Sequence, residues 1–139
     1  MVTFSIKGNQ AVKDTDNGDE SLTDLVMCLL HSAIITHIMH WQTESYAAHQ
    51  ALGEYYSEIP EAVDAVVEAY QGKTGIILRG FPIEMEAYEQ MTPLAYMEYL
   101  SMELTEGRAL FGTDSEIQNL VDAIADLIDS TMYKLRRFK

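Results

Sequence analysis

The residues of this chain that best suit metal chemistry are histidines gathered in a short stretch. All four of them fall within nineteen consecutive residues: His31, His37, His40 and His49. Two acidic residues, Asp64 and Glu68, follow at i,i+4 spacing, which puts both carboxylates on one face of a predicted helix. Imidazole and carboxylate together are a usual ligand set for iron, manganese or zinc.

The same residues also have ordinary structural interpretations. A histidine near an apolar helix face is more often a hydrogen-bonded core or surface residue than a metal ligand. Asp64 and Glu68 could equally belong to the solvated face of an amphipathic helix, together with the glutamates that precede them. Metal binding is therefore a hypothesis that depends on how the helices place these side chains.

Two predicted helices carry the histidines and the carboxylates. Apolar residues recur at helical spacing from a cap at Ser21 or Thr23 to about residue 42, which predicts helix one. A second such pattern predicts helix two from Ser45 or Tyr46 to the end marked by Gln71 and Gly72. Proline in a helix interior removes a backbone hydrogen bond, so we expect a kink or a break at Pro60.

The second half of the chain predicts two more helices. Thr92 and Pro93 are a cap and a favoured first residue for helix three, which we expect to end between residues 107 and 112. Thr113 or Asp114 then caps a last helix with a strong apolar stripe. The segment 72–92 contains glycines and a proline and is predicted to be a connection, with one short helix over residues 83–90.

Four amphipathic helices bury their apolar faces best by packing together. The sequence therefore predicts an all-α fold, an antiparallel four-helix bundle over residues 21–139, with a long crossover between helices two and three. Residues 1–20 are rich in glycine, asparagine and acidic residues with little periodic hydrophobicity, which predicts a flexible N-terminal tail.

Composition limits the classes of function. The chain has 139 residues, 9 Lys and Arg against 22 Asp and Glu, and a net charge of -13. Such a charge repels phosphate backbones, so we do not expect direct DNA binding. Cys28 is the one cysteine, which excludes an intrachain disulfide, and its apolar neighbours predict burial. No apolar run approaches the roughly 20 residues of a membrane span, so we expect a cytoplasmic protein that does not bind membranes.

The order of the candidate ligands resembles a known signature. His40-Trp41-Gln42, a second histidine at His49, and the later Asp64-Ala65-Val66-Val67-Glu68 resemble the Dps family of miniferritins, whose signature is His-Trp-Asn, a second histidine and Asp-x-x-x-Glu. The closing segment from Met132 to Phe138 also looks like the last helix of that family. The resemblance covers roughly residues 22–138.

This resemblance implies a ferritin-like bundle with an iron site shared by two subunits. His40 and His49 match the family's histidines, and Asp64 and Glu68 match its carboxylates, so these four residues would be the metal ligands. Family members oxidise Fe(II) and store the ferric product in a shell of twelve subunits. We therefore expect a homo-oligomer, from dimer to dodecamer, that binds iron and has ferroxidase activity. Gly53 stands where many members carry an additional acidic ligand.

Two other functions remain open from the sequence. A metal-free bundle could act as a module for protein binding or assembly, as in a virus-encoded accessory protein with an unknown protein partner. Alternatively, zinc or manganese could bind His37, His40 and one carboxylate without redox turnover. The resemblance to Dps proteins puts iron oxidation first among the three hypotheses.

Overall fold

Four α-helices form most of the protein in the computed structural model, which describes residues 4–5, 17–85 and 91–139. The helices are α1 (Asn17–Gln42), α2 (Tyr46–Thr74), α3 (Pro93–Gly107) and α4 (Ser115–Arg137). A 3₁₀ turn, Arg108–Phe111, lies between α3 and α4. The two-residue strands β1 (Phe4–Ser5) and β2 (Glu84–Met85) pair antiparallel. The prediction of an all-α protein with four helices is confirmed for the part of the chain that is described.

Side-chain caps fix three of the predicted helix starts. The Ser45 hydroxyl accepts from the backbone N–H of Ala48 at the start of α2, and Thr92 accepts from Ala95 at the start of α3. The carboxylate of Asp114 accepts from two backbone N–H groups in the first turn of α4. These bonds satisfy amides that have no partner within the helix.

Two predictions about local structure are wrong: the start of α1 and the short helix in the connection between α2 and α3. Helix α1 begins at Asn17, four residues before the predicted cap at Ser21. Glu84–Met85 form strand β2 where a short helix over 83–90 was predicted. Residues 86–90 of that helix, and residues 1–3 and 6–16 of the predicted tail, lie outside the described residues.

Helix α2 is longer and more regular than predicted. It runs without a break through Pro60 to Thr74, although proline cannot donate to the carbonyl of Tyr56. Ile59 and Val63 are buried on either side of the proline, so packing holds both halves in one helix. The helix ends at Gly75, whose φ of 72° is the left-handed conformation that glycine adopts without strain.

The most extensive packing between helices pairs α1 with α2, α2 with α4, α3 with α4, and α1 with α3. The 3₁₀ turn Arg108–Phe111 also packs against α1, α3 and α4. The core between them consists of aliphatic and aromatic side chains with almost no exposure, among them Leu29, Leu52, Val66, Met97, Leu100, Ile124 and Ile128. Ion pairs also join neighbouring helices. Glu54 with Lys134 and Lys73 with Asp114 link α2 to α4, and Glu98 with Arg136 links α3 to α4.

Helix α1 is apolar on nearly all sides. The segment Leu22–Gln42 has a mean hydropathy of 1.6, and by length and composition it could cross a membrane. This corrects the expectation that no run approaches the length of a span. Half of the segment is buried within the protein, and the core helix of a bundle meets the same criterion.

Tyr55 joins α1 to α2 through a buried hydrogen bond. Its ring is fully buried, and its hydroxyl lies 2.7 Å from Oγ of Ser32. The Ser32 hydroxyl itself donates to the carbonyl of Leu29, so the Tyr55 hydroxyl is the donor to Ser32. Burial raises the pKa of Tyr55 above its ordinary value, and the bond with Ser32 offsets part of this shift.

We expect Tyr55→Phe to lower the free energy of unfolding by about 1 kcal/mol at pH 7, because one buried hydrogen bond is lost and no partner is stranded. The raised pKa means that the wild type loses stability as the pH rises above about 10, while the variant lacks this loss. In urea unfolding, the difference in free energy of unfolding between the wild type and Tyr55→Phe should therefore be smaller at about pH 11 than at pH 7. Tyr133→Phe is the control, because Tyr133 is exposed. If the difference between the wild type and Tyr55→Phe were the same at both pH values, the raised pKa of Tyr55 would be contradicted.

Candidate functional site

His40 and His49 hold each other across the turn between α1 and α2. Their rings stack with centroids 3.6 Å apart and planes 17° from parallel. Nδ1 of His40 lies 2.6 Å from the carbonyl oxygen of His49, and Nδ1 of His49 lies 2.9 Å from the carbonyl oxygen of His40. A carbonyl can only accept, so both Nδ1 atoms carry the proton. In each neutral ring, Nε2 is then left with its lone pair.

The short connection 43–45 brings these two histidines together. The N–H of Thr43 donates to the carbonyl of Met39, which extends the hydrogen bonding of α1 by one residue. The hydroxyl of Thr43 accepts from the N–H of Ser45. The Ser45 cap then starts α2 at once. Because the chain reverses within three residues, the last turn of α1 faces the first turn of α2, and each imidazole reaches the backbone of the other helix.

The His40 ring packs against the backbone of α2 at Gly53. A Cβ atom at this position would lie 3.3 Å from Cε1 of His40 and 3.4 Å from its Nδ1, closer than most carbon contacts in proteins. The sequence interpretation of Gly53 as a missing acidic ligand did not consider this contact. The absence of a side chain at residue 53 allows the imidazole to lie against α2.

Aromatic rings surround the histidine pair. His37 stacks on Tyr56 with centroids 4.0 Å apart and lies 4.5 Å from the ring of Trp41. Tyr56 also meets His40 edge to face at 5.2 Å, and Tyr46 lies 6.5 Å from His49. Trp41 and Tyr46 are 68% and 74% exposed, so the cluster opens to the protein surface.

The two predicted carboxylate ligands lie far from the histidines of the same chain. Asp64 and Glu68 are exposed on α2, 15 and 19 residues beyond His49. At 1.5 Å per residue they are about 22 and about 28 Å along the helix from His49. Within one chain, the structure therefore brings His40 and His49 together but does not bring Asp64 or Glu68 to them.

The described residues contain no group of three or more His, Cys, Asp and Glu side chains that could hold a metal ion. This finding opposes the site made of His37, His40 and one carboxylate, since it needs three ligands in one chain. The His37 and His40 rings are 6.1 Å apart and nearly perpendicular, and His37 is engaged with Tyr56. Among the residues that the structure describes, one chain alone does not assemble a site with four such ligands.

Sequence reasoning missed the roles of Gly53 and Tyr56. Both residues follow His49 at helical spacing, at i+4 and i+7. They therefore share a helix face with a candidate ligand, and this spacing could have identified them. The contact of His40 with this face had no such signal, because it depends on the turn between two helices.

Cys28 is partly buried rather than fully buried. Burial raises the pKa of its thiol, nearby Glu103 raises it further, and a hydrogen bond with Tyr99 acts in the opposite direction. A thiol with a raised pKa is a weak nucleophile, so Cys28 is not a candidate for catalysis.

Comparison with known proteins identifies the family. The model of the "Family of unknown function (DUF5856)" matches residues 40–135, from His40 through α2 and α3 to the last turn of α4. The chain belongs to this family. A relative in Enterobacteria phage T4, the "Uncharacterized 14.6 kDa protein in mobD-ri intergenic region", is 36% identical over 62 residues. That stretch is 44% of the DUF5856 chain and 48% of the phage protein, so the chain spans about half the length of this relative. No solved structure matches.

The contact of Gly53 with His40 in this DUF5856 protein can be tested by adding one methyl group. We expect Gly53→Ala to displace the His40 ring and to change its imidazole NMR resonances, because the new Cβ would be too close to Cε1. Gly72→Ala is the matched control in the same helix, where an added Cβ meets nothing within 4 Å.

The control should raise the free energy of unfolding by up to about 1 kcal/mol, which is the helix-propensity difference between alanine and glycine. It should leave the histidine resonances unchanged. Identical histidine spectra in the two variants would show that Gly53 does not position His40.

Proposed function

We propose that this DUF5856 protein is a Dps-like, iron-binding ferroxidase that oxidises Fe(II) at a site shared by two subunits and sequesters the product. In this proposal His40 and His49 come from one subunit, and Asp64 and Glu68 come from the other. The protein acts as a cytoplasmic homo-oligomer, between a dimer and a dodecamer, without direct DNA binding. Its relative in a bacteriophage supports a virus-encoded origin.

The observation that carries the proposal is the reciprocal bonding of the two imidazoles. Each Nδ1 donates to a backbone carbonyl, an arrangement that fixes the tautomer and orients Nε2 in most histidines that bind metals. The Nε2 atom of each ring carries the lone pair that would bind a first-row divalent metal. Iron is the substrate in this proposal, and zinc or manganese would compete for the same nitrogen atoms.

The packing of the helices supports a ferritin-like arrangement. Contacts at Ser32 with Tyr55, Lys73 with Asp114, and Arg136 with Glu98 pair helices that run in opposite directions. The end of α2 lies beside the start of α4, and the start of α3 lies beside its end. The end of α2 and the start of α3 therefore lie at opposite ends of α4, which supports the proposal of a long crossover between α2 and α3 as in the ferritin-like topology.

Symmetry explains how ligands so far apart on one helix can share a site. A two-fold axis that crosses α2 midway between the two ligand groups would bring His49 of one subunit to Asp64 and Glu68 of the second copy, and the reverse. Both carboxylates are exposed and so are available to another chain. Two such sites would form in each dimer.

The chemistry at the site needs only binding and electron transfer to an oxidant. Two Fe(II) ions each lose one electron, and hydrogen peroxide takes up two electrons and two protons to give two water molecules. Imidazole and carboxylate ligands bind both oxidation states of iron. The net charge of -13 attracts cations towards the protein before they are oxidised.

A second function is favoured by the same histidine pair. Stacked rings that bond to the backbone of the opposite helix also stabilise the α1–α2 turn without any metal. The runner-up proposal is therefore a non-catalytic helical module for protein binding or assembly, in which His40 and His49 have a structural role.

We expect anaerobic, metal-free protein to oxidise added Fe(II) within seconds of adding peroxide, with both His49→Ala and Asp64→Ala reduced to the buffer rate. Mixing the two inactive variants is the sharper test. In each heterodimer one site has lost both ligands and the other is intact. Since half of the dimers are mixed, the 1:1 mixture should regain about a quarter of the wild-type rate.

Exposed Asp126→Ala on α4 is the matched control, because it removes one carboxylate outside the site and should keep the full rate. A mixture that stays inactive while each variant alone is inactive would exclude the shared site. Wild-type rates equal to buffer would exclude iron oxidation and leave the non-catalytic module as the function.

A further inference from the structure

A small groove lies between α3 and α4, on helices that do not carry the histidines. Its volume is about 210 Å³, which is the volume of about seven water molecules in the liquid. Leu104 and Ile128 form an apolar floor, since both line the groove and are almost fully buried. Ser101, Arg108 and Asp129 line its polar sides. None of these residues belongs to the proposed iron site.

Arg108 is held at one end of this α3–α4 groove by two residues of α4. Its Nε donates to Oε1 of Gln118 at 3.0 Å, and its Nη2 donates to the carboxylate of Asp122. Gln118 in turn donates to the backbone carbonyl of Arg108 at 2.9 Å. The other terminal nitrogen, Nη1, has no hydrogen-bond partner among the described residues. A guanidinium oriented in this way has two N–H groups left for an acceptor and little side-chain freedom to lose on binding one.

Asp129 and Ser101 lie at the opposite end of the groove. Helices α3 and α4 run in opposite directions, as their ion pairs show. Asp129 follows Asp122 by seven residues, which is about 10 Å along α4. Ser101 precedes Arg108 by the same number of residues, so it lies near the level of Asp129. In the part of the chain that the structure describes, neither the Asp129 carboxylate nor the Ser101 hydroxyl has a hydrogen-bond or ion-pair partner.

The two ends of the groove therefore suit groups of opposite charge. The carboxylate of Asp129 and the hydroxyl of Ser101 accept hydrogen bonds from an ammonium group, and Nη1 of Arg108 donates to a carboxylate. The net charge of -13 repels a small anion on its own. A simple amine would leave Nη1 of Arg108 without an acceptor. A molecule that carries both charges satisfies both ends and is itself neutral.

We propose that the α3–α4 groove binds a linear zwitterion of the ω-amino acid class, with its ammonium group at Asp129 and its carboxylate at Arg108. The aliphatic chain between the charges lies over Leu104 and Ile128. An extended chain advances about 3.5 Å for every three bonds, so the charges of 6-aminohexanoate are about 7 Å apart. The reach of the two side chains covers the remainder of the groove. In glycine the charges are adjacent, so glycine reaches only one end.

Binding of 6-aminohexanoate to the full, metal-free chain tests this proposal. Backbone amide NMR resonances followed at up to about 20 mM ligand detect even millimolar affinity. We expect the shifts to concentrate in residues 101–108 and 125–129. Hexylamine, hexanoate and glycine should each bind about tenfold more weakly, because each of them makes only one of the two charged contacts.

Two variants separate the ends of the groove. Asp129→Asn should weaken the binding of 6-aminohexanoate about tenfold without weakening hexanoate, and Arg108→Gln should weaken it similarly without weakening hexylamine. Asp129 is exposed, so its replacement does not depend on the core. Asp126→Asn on α4 and Arg79→Gln after α2 are the matched controls, because they remove the same charges from exposed positions outside the groove. Both controls should bind as the wild type does.

Three outcomes would overturn the proposal. Resonances that none of the ligands shifts would mean that the groove holds only water. Equal binding of hexylamine and 6-aminohexanoate would assign the groove to simple amines. Equal weakening by Asp129→Asn and Asp126→Asn would show a general attraction of cations to the acidic surface. The experiment contains no iron, so its result is independent of the proposed ferroxidase.

Discussion

The reciprocal bond between His40 and His49 is the constraint around which the α1–α2 end of the protein is arranged. Each ring donates to the backbone of the opposite helix, so the two helices are held at a fixed separation and level. That level then sets the stacking of His37 on Tyr56 and the approach of His40 to Gly53. The same bonds determine the chemistry, because the tautomer that satisfies both carbonyls is the one that leaves both Nε2 atoms able to bind a metal.

The parts of the fold that could be predicted from the sequence are those that depend on local chemistry. Thr92 caps α3 as expected, and Asp114, one of the two predicted candidates, caps α4. Ser45 caps α2 at the predicted start of that helix. These starts were predictable because a capping side chain bonds to amides only two or three residues away. The errors lie where packing overrides local preference. Proline at residue 60 costs α2 a hydrogen bond, yet buried residues on both sides keep the helix continuous.

The candidate site was predictable as a set of residue types but not as an arrangement. The clustering of histidines identified His40 and His49, and helical spacing put Asp64 and Glu68 on one face. No spacing rule shows that two rings will bond across a turn, or that a glycine four residues after His49 will support His40. The separation of about 22 Å between His49 and Asp64 follows from a helix that does not break at Pro60, a result that the sequence left open.

Helix α1 has two roles that impose different demands on its sequence. One side fills the core with residues such as Leu29 and Met39, which requires apolar side chains. The other side of the helix faces water, which favours charged side chains. Between Asp24 and Glu44, however, the chain has no Asp, Glu, Lys or Arg. The last turns of α1 place His37 and His40 against Tyr56 of α2. The packing of the core and the position of the histidine pair therefore depend on the same helix.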